Sequence, residues 1–257
     1  MAGQTGFAEE INCVRLNNVN RRLPNSVNHE LSTLLRGETE TLSAWSGRWD
    51  TRRFALHLAV IVFGAGLYGA AMGWWRDPQQ AFYVAIKFPL IILLTTLGNA
   101  LINAMLAPLL GLDIPFRQSF SAIVMGFTIT AAILGAFSPL LAFMIWNAPA
   151  MTPGISTGPT YNLIKLTHVA VITFAGTMGN ARLFQLLVKL GGNQTIALRV
   201  LCAWLAGNLF LGSQLSWILR PFIGLPSLPV EFLRPDAFHG NFYENVFNSL
   251  LRLLHYN

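Results

Sequence analysis

Five long apolar stretches constrain this chain more than any other feature: about 54–75, 81–101 (extending toward 106), 119–146, 161–190 and 195–219. A helix rising ~1.5 Å per residue needs ~20 apolar residues to cross a ~30 Å hydrocarbon layer, and each stretch meets that length. Composition agrees. Hydrophobic residues make up 53% of the chain and charged residues 11%, whereas soluble domains run near 25% charged. Intrinsic disorder is thereby excluded, and the composition argues against an ordinary soluble globule. Two cysteines, Cys13 and Cys202, cannot build a disulfide framework. The expected fold is an all-α integral membrane protein: a bundle of about five transmembrane helices with amphipathic interfacial helices at both ends.

Three regions follow from this layout. Residues 1–53 are polar and carry no apolar run behind a basic start, so no cleavable signal peptide is expected. Residues 12–28, rich in Asn and Arg, read as loop. Val27, Leu31, Leu34 and Leu35 then form a one-faced helical stripe, with Ser26 as cap and Gly37 as stop. A second stripe, Leu42, Trp45 and Trp49, lies beside Arg48, Arg52 and Arg53, the pattern of a helix on a membrane surface, the alternative being a small soluble helical pair packed on the membrane domain. Residues 54–220 hold the five spans. Trp74 and Trp75 mark an interface after the first, Pro108 should stop the second, and Pro139 interrupts the third. A charge-free loop, 147–160, precedes the fourth, Gly191-Gly192 closes it, and Arg220-Pro221 stops the fifth. Residues 221–257 are Pro-rich and then amphipathic over 241–254, where Asn241 and Glu244 have capping-box spacing.

The charge distribution sets an expected orientation. The formal charge is +6, and in a membrane protein such an excess reports sidedness, not nucleic-acid binding. Arginines crowd the N-terminal segment, and Arg117, Arg182, Lys189 and Arg199 lie near the connections after spans two and four. The N-terminus is therefore expected in the cytoplasm, and an odd number of spans places 221–257 outside, in a bacterial inner membrane.

Ionisable and polar groups inside the spans are the candidate functional residues. Lys87 lies about two turns into span two, within reach of outer headgroups by snorkelling. Thr96, Asn99 and Asn103 share one face of span two. On span four, Lys165 and His168 are three residues apart, and Thr173, Thr177 and Asn180 form a stripe; Asn208 and Gln214 add polarity to span five. These groups either line a hydrophilic path or serve as interhelical hydrogen-bond glue. Gly66, Gly69, Ala70 and Gly73 in span one, and Ala203, Gly207 and Gly212 in span five, have the small-xxx-small spacing that lets backbones approach, within one chain or between subunits. A haem or chlorophyll could be ligated only through a lone histidine such as His168; no cofactor or metal is expected. No HExxH, GxSxG, P-loop, CxxC or GxGxxG motif occurs, which argues against an enzyme.

The most distinctive text is Trp217-Ile218-Leu219-Arg220-Pro221-Phe222-Ile223-Gly224, followed by Phe232-Leu233-Arg234 and Gly240-Asn241-Phe242-Tyr243. Physically it is an exit elbow with an aromatic anchor, acting as a lid over the bundle or a docking surface. This W-x-L-R-P-F…G-N-F-Y pattern resembles a group of uncharacterised bacterial multi-spanning inner-membrane proteins. The five-span, cytoplasmic-N layout is also similar to Yip1-type membrane proteins, although the D-L-Y-G-P signature is missing. The second resemblance implies a role in membrane organisation; neither implies catalytic residues.

The expected function is a non-enzymatic membrane scaffold or accessory subunit. Its partners would be the lipid bilayer and other membrane subunits or further copies of the chain. The alternatives are a small channel or transporter with a polar path between spans two, four and five, and a lipid- or pigment-handling helper.

Overall fold

The computed structural model describes residues 27–48, 50–151, 158–224 and 229–255. Among them are eight helices and no strand. The cap at Ser26, Trp49 and most of the 12–28 loop lie outside the described residues, and residues 27 and 28 are already helical. The first helix, α1 (Val27–Arg36), belongs to a separate compact unit, Met1–Arg36. It places Glu30 in its first turn and Arg36 in its last, each at the end where the helix dipole favours that charge.

The second unit holds the rest: α2 (Thr39–Gly47), α3 (Thr51–Trp74), α4 (Pro78–Leu109), α5 (Phe116–Trp146), α6 (Gly158–Gly191), α7 (Gln194–Leu219) and α8 (Phe242–His255). Five of them, α3 to α7, are long and apolar enough to cross a membrane. This is a multi-pass membrane protein in a lipid bilayer. The lipid-facing surface is greasy, as bilayer contact requires: Phe63, Leu67, Met105, Phe143 and Leu209 are all exposed.

Local chemistry explains the helix ends. Asp50, Asp77 and Asn193 accept hydrogen bonds from the first free backbone N–H groups of α3, α4 and α7. Pro78 occupies the first turn of α4, where it lacks only an N–H that would be unpaired anyway. Pro108 is the penultimate residue of α4, so the helix passes it by one residue before Gly111, at φ +91°, turns the chain.

The spans alternate in direction. Gly73 sits on Gln80 and Gly69 on Val84, the descending pairing of an antiparallel α3–α4 hairpin. Further packing sets α3 on α5, α5 on α6, α6 on α7, α7 back on α4, and α4 on α5. One end of the bundle carries the α4–α5 and α6–α7 connections. There α2 packs on α5 and α6, burying Leu42, with Lys189 paired to Glu40 and Gln118 Nε2 donating to Ser46 Oγ at 3.2 Å. This basic end therefore holds α2 against protein through its apolar stripe. The other end carries the α3–α4 turn and the segment after α7, and is called the elbow end below.

Glycines set the closest approaches. A Cβ on Gly64 would collide with the backbone carbonyl of Ala131, and one on Gly69 would lie 2.5 Å from Val84 O. Gly66, Gly69 and Gly73 thus form the α3–α4 contact inside the chain, with Ala70 half-buried alongside. Gly207 packs on Asn99 and Gly212 on Thr95, joining α7 to α4, with Ala203 half-buried on α7.

Candidate functional site

The α4 stripe and α7 build a buried amide cluster. Asn99 and Asn103 are fully buried and Thr96 nearly so. Asn99 Nδ2 donates to Asn208 Oδ1 at 2.7 Å and to Trp204 O at 3.3 Å, while its own Oδ1 accepts from Asn103 Nδ2 at 2.9 Å. Thr96 Oγ1 donates to Ile92 O at 2.6 Å, back onto its own helix. Gly207 makes room for this arrangement, because a Cβ there would lie 2.5 Å from Asn99 Oδ1. Asn103 Oδ1, Thr95 Oγ1 and Trp204 Nε1 are buried without a partner.

The α6 stripe does not join this cluster as one surface. Thr173 and Thr177 are exposed on the outside of the bundle, and Asn180, half-buried, donates to Gly176 O at 2.8 Å. What connects the two is a crevice of about 180 Å³ between α5, α6 and α7. Its polar lining is Thr130, Asn180 and Asn208, and glycines at 126, 176 and 179 also line it. Asn208 is shared: its carbonyl oxygen accepts from Asn99, which leaves its amide N–H groups for another acceptor. Toward the elbow end, Tyr68, Leu134, Leu141, Val171 and Ala175 fill the bundle interior. Among the described residues, the predicted polar groups therefore do not form one continuous path.

Lys165 and His168 also part company. Lys165 is exposed, whereas His168 is 3% exposed and meets Tyr68, whose Oη lies 3.0 Å from His168 Nδ1. His168 Nε2 is buried with no partner. Both residues line a second cavity, of about 370 Å³, at the elbow end. No group of three His, Cys, Asp or Glu capable of holding a metal occurs among the described residues.

The elbow closes over that end. Gln80, 1% exposed, donates through Nε2 to Pro221 O and Phe222 O, both at 2.9 Å. Lys87 was expected to reach headgroups, yet it is fully buried. Its ammonium donates to Pro221 O at 3.3 Å and Glu231 O at 3.5 Å, and lies 5.3 Å from the Phe232 ring centre. Phe222 packs edge-on against Phe88, and Phe232 against Tyr83. Of the two readings of this segment, docking surface or lid, its packing on α4 is that of a lid.

Arg220 stacks on Trp217 at 3.3 Å from the ring centre and reaches Asp236 at 3.7 Å, while Arg234 grips the same carboxylate through two nitrogens. The hydrogen bond from Arg234 holds the Asp236 carboxyl below its usual range. Burial, with Arg234 nearby, lowers Arg220 from the ordinary arginine value, and Asp236 opposes that shift. Asn241 Oδ1 then accepts from Glu244 N at 2.8 Å, as the capping spacing predicts, and Gln214 Oε1 accepts from Phe242 N at 3.1 Å. Tyr243 stacks on Phe210 and donates to its carbonyl at 2.9 Å.

The predicted interface tryptophans separate by environment. Trp74 is 60% exposed, but Trp75 turns inward and donates from Nε1 to Pro149 O at 2.9 Å. Trp45 is half-buried beneath the Arg53 guanidinium. Sequence reasoning passed over Gln80, Tyr68 and Thr130. Tyr68 was hidden in an apolar run, and Gln80 reveals itself only as an amide in the first turn of a span, where a returning chain could use it. Comparison of the chain with protein-family models, curated proteins and solved structures gives no match.

Proposed function

We propose that the protein is a non-enzymatic scaffold or accessory subunit of a bacterial inner-membrane assembly, a transmembrane helix of another subunit packing over the crevice between α5, α6 and α7 and seating a side chain in it. One observation carries this reading: a crevice with a polar floor, Thr130, Asn180 and Asn208, beside the exposed hydroxyls of Thr173 and Thr177. Thr130 and Asn180 already donate to backbone carbonyls, whereas the Asn208 amide N–H groups face the crevice side of the cluster without an acceptor, and a partner helix bearing an amide or hydroxyl supplies one. The α3 glycine faces are already filled by α4, so they leave this surface as the place for a partner. The amphipathic α8 adds an interfacial anchor, with Val246 and Phe247 exposed.

Photocrosslinking in native membranes tests the reading. A photoreactive residue at Thr177, beside the crevice, is expected to give a discrete protein adduct; one at Phe63, exposed on α3, is expected to give lipid adducts alone. An adduct of twice the chain mass identifies a second copy, and any other protein mass identifies a different subunit. Absence of protein adducts at Thr177, or equal protein capture at Phe63, contradicts it.

A further inference from the structure

The elbow-end cavity has a composition that neither the lid nor the crevice explains. Its walls, from Met72, Val169 and Ile172, are apolar, and Val169 and Ile172 are also exposed on the bundle surface. Its rim holds Lys165, Arg220 and Arg234. The only carboxylate paired with these cations among the described residues is Asp236, and it is shared by both arginines. Lys165 forms no ion pair among the described residues. Three cations against one carboxylate leave an excess of positive charge beside an apolar wall. The floor adds His168, nine-tenths buried, with Nε2 unpartnered. When the Tyr68 phenol donates to Nδ1, the ring proton sits on Nε2, a neutral buried donor on a residue that lines the cavity.

We infer that this cavity is a binding site for an anionic phospholipid, its phosphate held by Lys165, Arg220 and Arg234 and its acyl chain laid along Val169 and Ile172. Phosphate suits the rim because guanidinium groups bind its oxygens with paired, charge-assisted hydrogen bonds. A lipid suits the wall better than a free phosphate does, because the apolar side is continuous with residues that already face acyl chains. Asp236 acts as the internal competitor, occupying both arginines until the phosphate arrives. The lipid is bound and not transformed, so no bond changes.

The test uses the full chain in mild detergent, with native mass spectrometry counting retained lipid. Dioleoylphosphatidylglycerol and dioleoylphosphatidylcholine are offered in equal amounts. Phosphatidylglycerol is expected to be retained about tenfold better, the ratio that one net charge-assisted contact supplies. Lys165→Gln, at an exposed position that folding does not need, is expected to remove most of that preference. Asp236→Asn is expected to raise it, because it releases two arginines from their internal partner; a merely damaged fold would not move retention upward. Glycerol 3-phosphate in excess is expected to compete weakly. Equal retention of the two lipids, an unchanged preference in Lys165→Gln, or a fall in Asp236→Asn overturns the inference. Full displacement by glycerol 3-phosphate assigns the rim to a free phosphate and overturns the lipid. The crosslinking outcome at Thr177 is independent of all these results.

Discussion

Replacing Gln80 by Leu and Lys87 by Met together is expected to lift the elbow off the bundle. The two side chains supply hydrogen bonds to the backbone carbonyls of Pro221, Phe222 and Glu231. A buried carbonyl left without a donor costs about 1–3 kcal/mol, and all three recover water if the segment swings away. Either single replacement leaves Pro221 O with one donor, so the double variant should exceed both. A shift of about 3 kcal/mol moves the open-to-closed ratio by about a hundredfold. Labelling reads this directly. Ile223 packs into two apolar clusters, around Tyr68 and around Trp75, so Ile223→Cys should react slowly with a maleimide in the parent and far faster in the double variant. Cys13 and Cys202 are replaced beforehand. Unchanged labelling in a folded double variant would mean that the aromatic contacts alone hold the lid.

Substitutions at glycine are expected to sort by what a Cβ would meet, with the largest losses on α3. Gly64→Ala drives a methyl into the Ala131 carbonyl, and Gly69→Ala places one 2.5 Å from the Val84 carbonyl. A backbone atom cannot rotate aside, so the helices must separate and forfeit their van der Waals contact, at about 1–3 kcal/mol for one methyl and more for leucine. Gly66→Ala, at 3.3 Å from Ala85 O, should cost less. Gly176→Ala meets nothing within 4 Å and gains helix propensity of up to about 1 kcal/mol. Thermal unfolding in detergent should therefore rank Gly64 and Gly69 lowest and leave Gly176→Ala at or above the parent. Light scattering should find no change in oligomeric state for Gly66→Ala, because that face is internal. Comparable losses at Gly64 and Gly176 would show that glycine content, not close approach, governs stability.

The spans were legible because their signals are one-dimensional. Apolar length, Gly191-Gly192 and Arg220-Pro221 set the boundaries, and these need no knowledge of neighbours. The Asn99 and Asn103 stripe was legible for the same reason, since residues on one helix face meet whatever packs there. The register between helices was not. Gly64 meets Ala131 only because α3 and α5 run alongside each other at that offset, and neither residue signals it alone. Lys165 and His168 share a face by spacing, yet the edge of the buried face falls between them, so one meets Tyr68 and the other is exposed. Lys87 read as a snorkelling residue because the elbow's return over α4 is a tertiary event, invisible until chain 134 residues away is placed beside it.

Five crossings place the basic end and the elbow end on opposite faces, and in the proposed orientation the basic end lies in the cytoplasm. Cysteines at Gly47, where nothing lies within 4 Å of the Cβ, and at Phe238, 73% exposed, report the two ends with little disturbance. With the native cysteines replaced, an impermeant maleimide added to intact bacterial spheroplasts should label Phe238→Cys at once and Gly47→Cys only after the membrane is permeabilised. Labelling of both positions before permeabilisation, or protection of both, would contradict the odd number of crossings, and the reverse pattern would turn the protein over in the membrane.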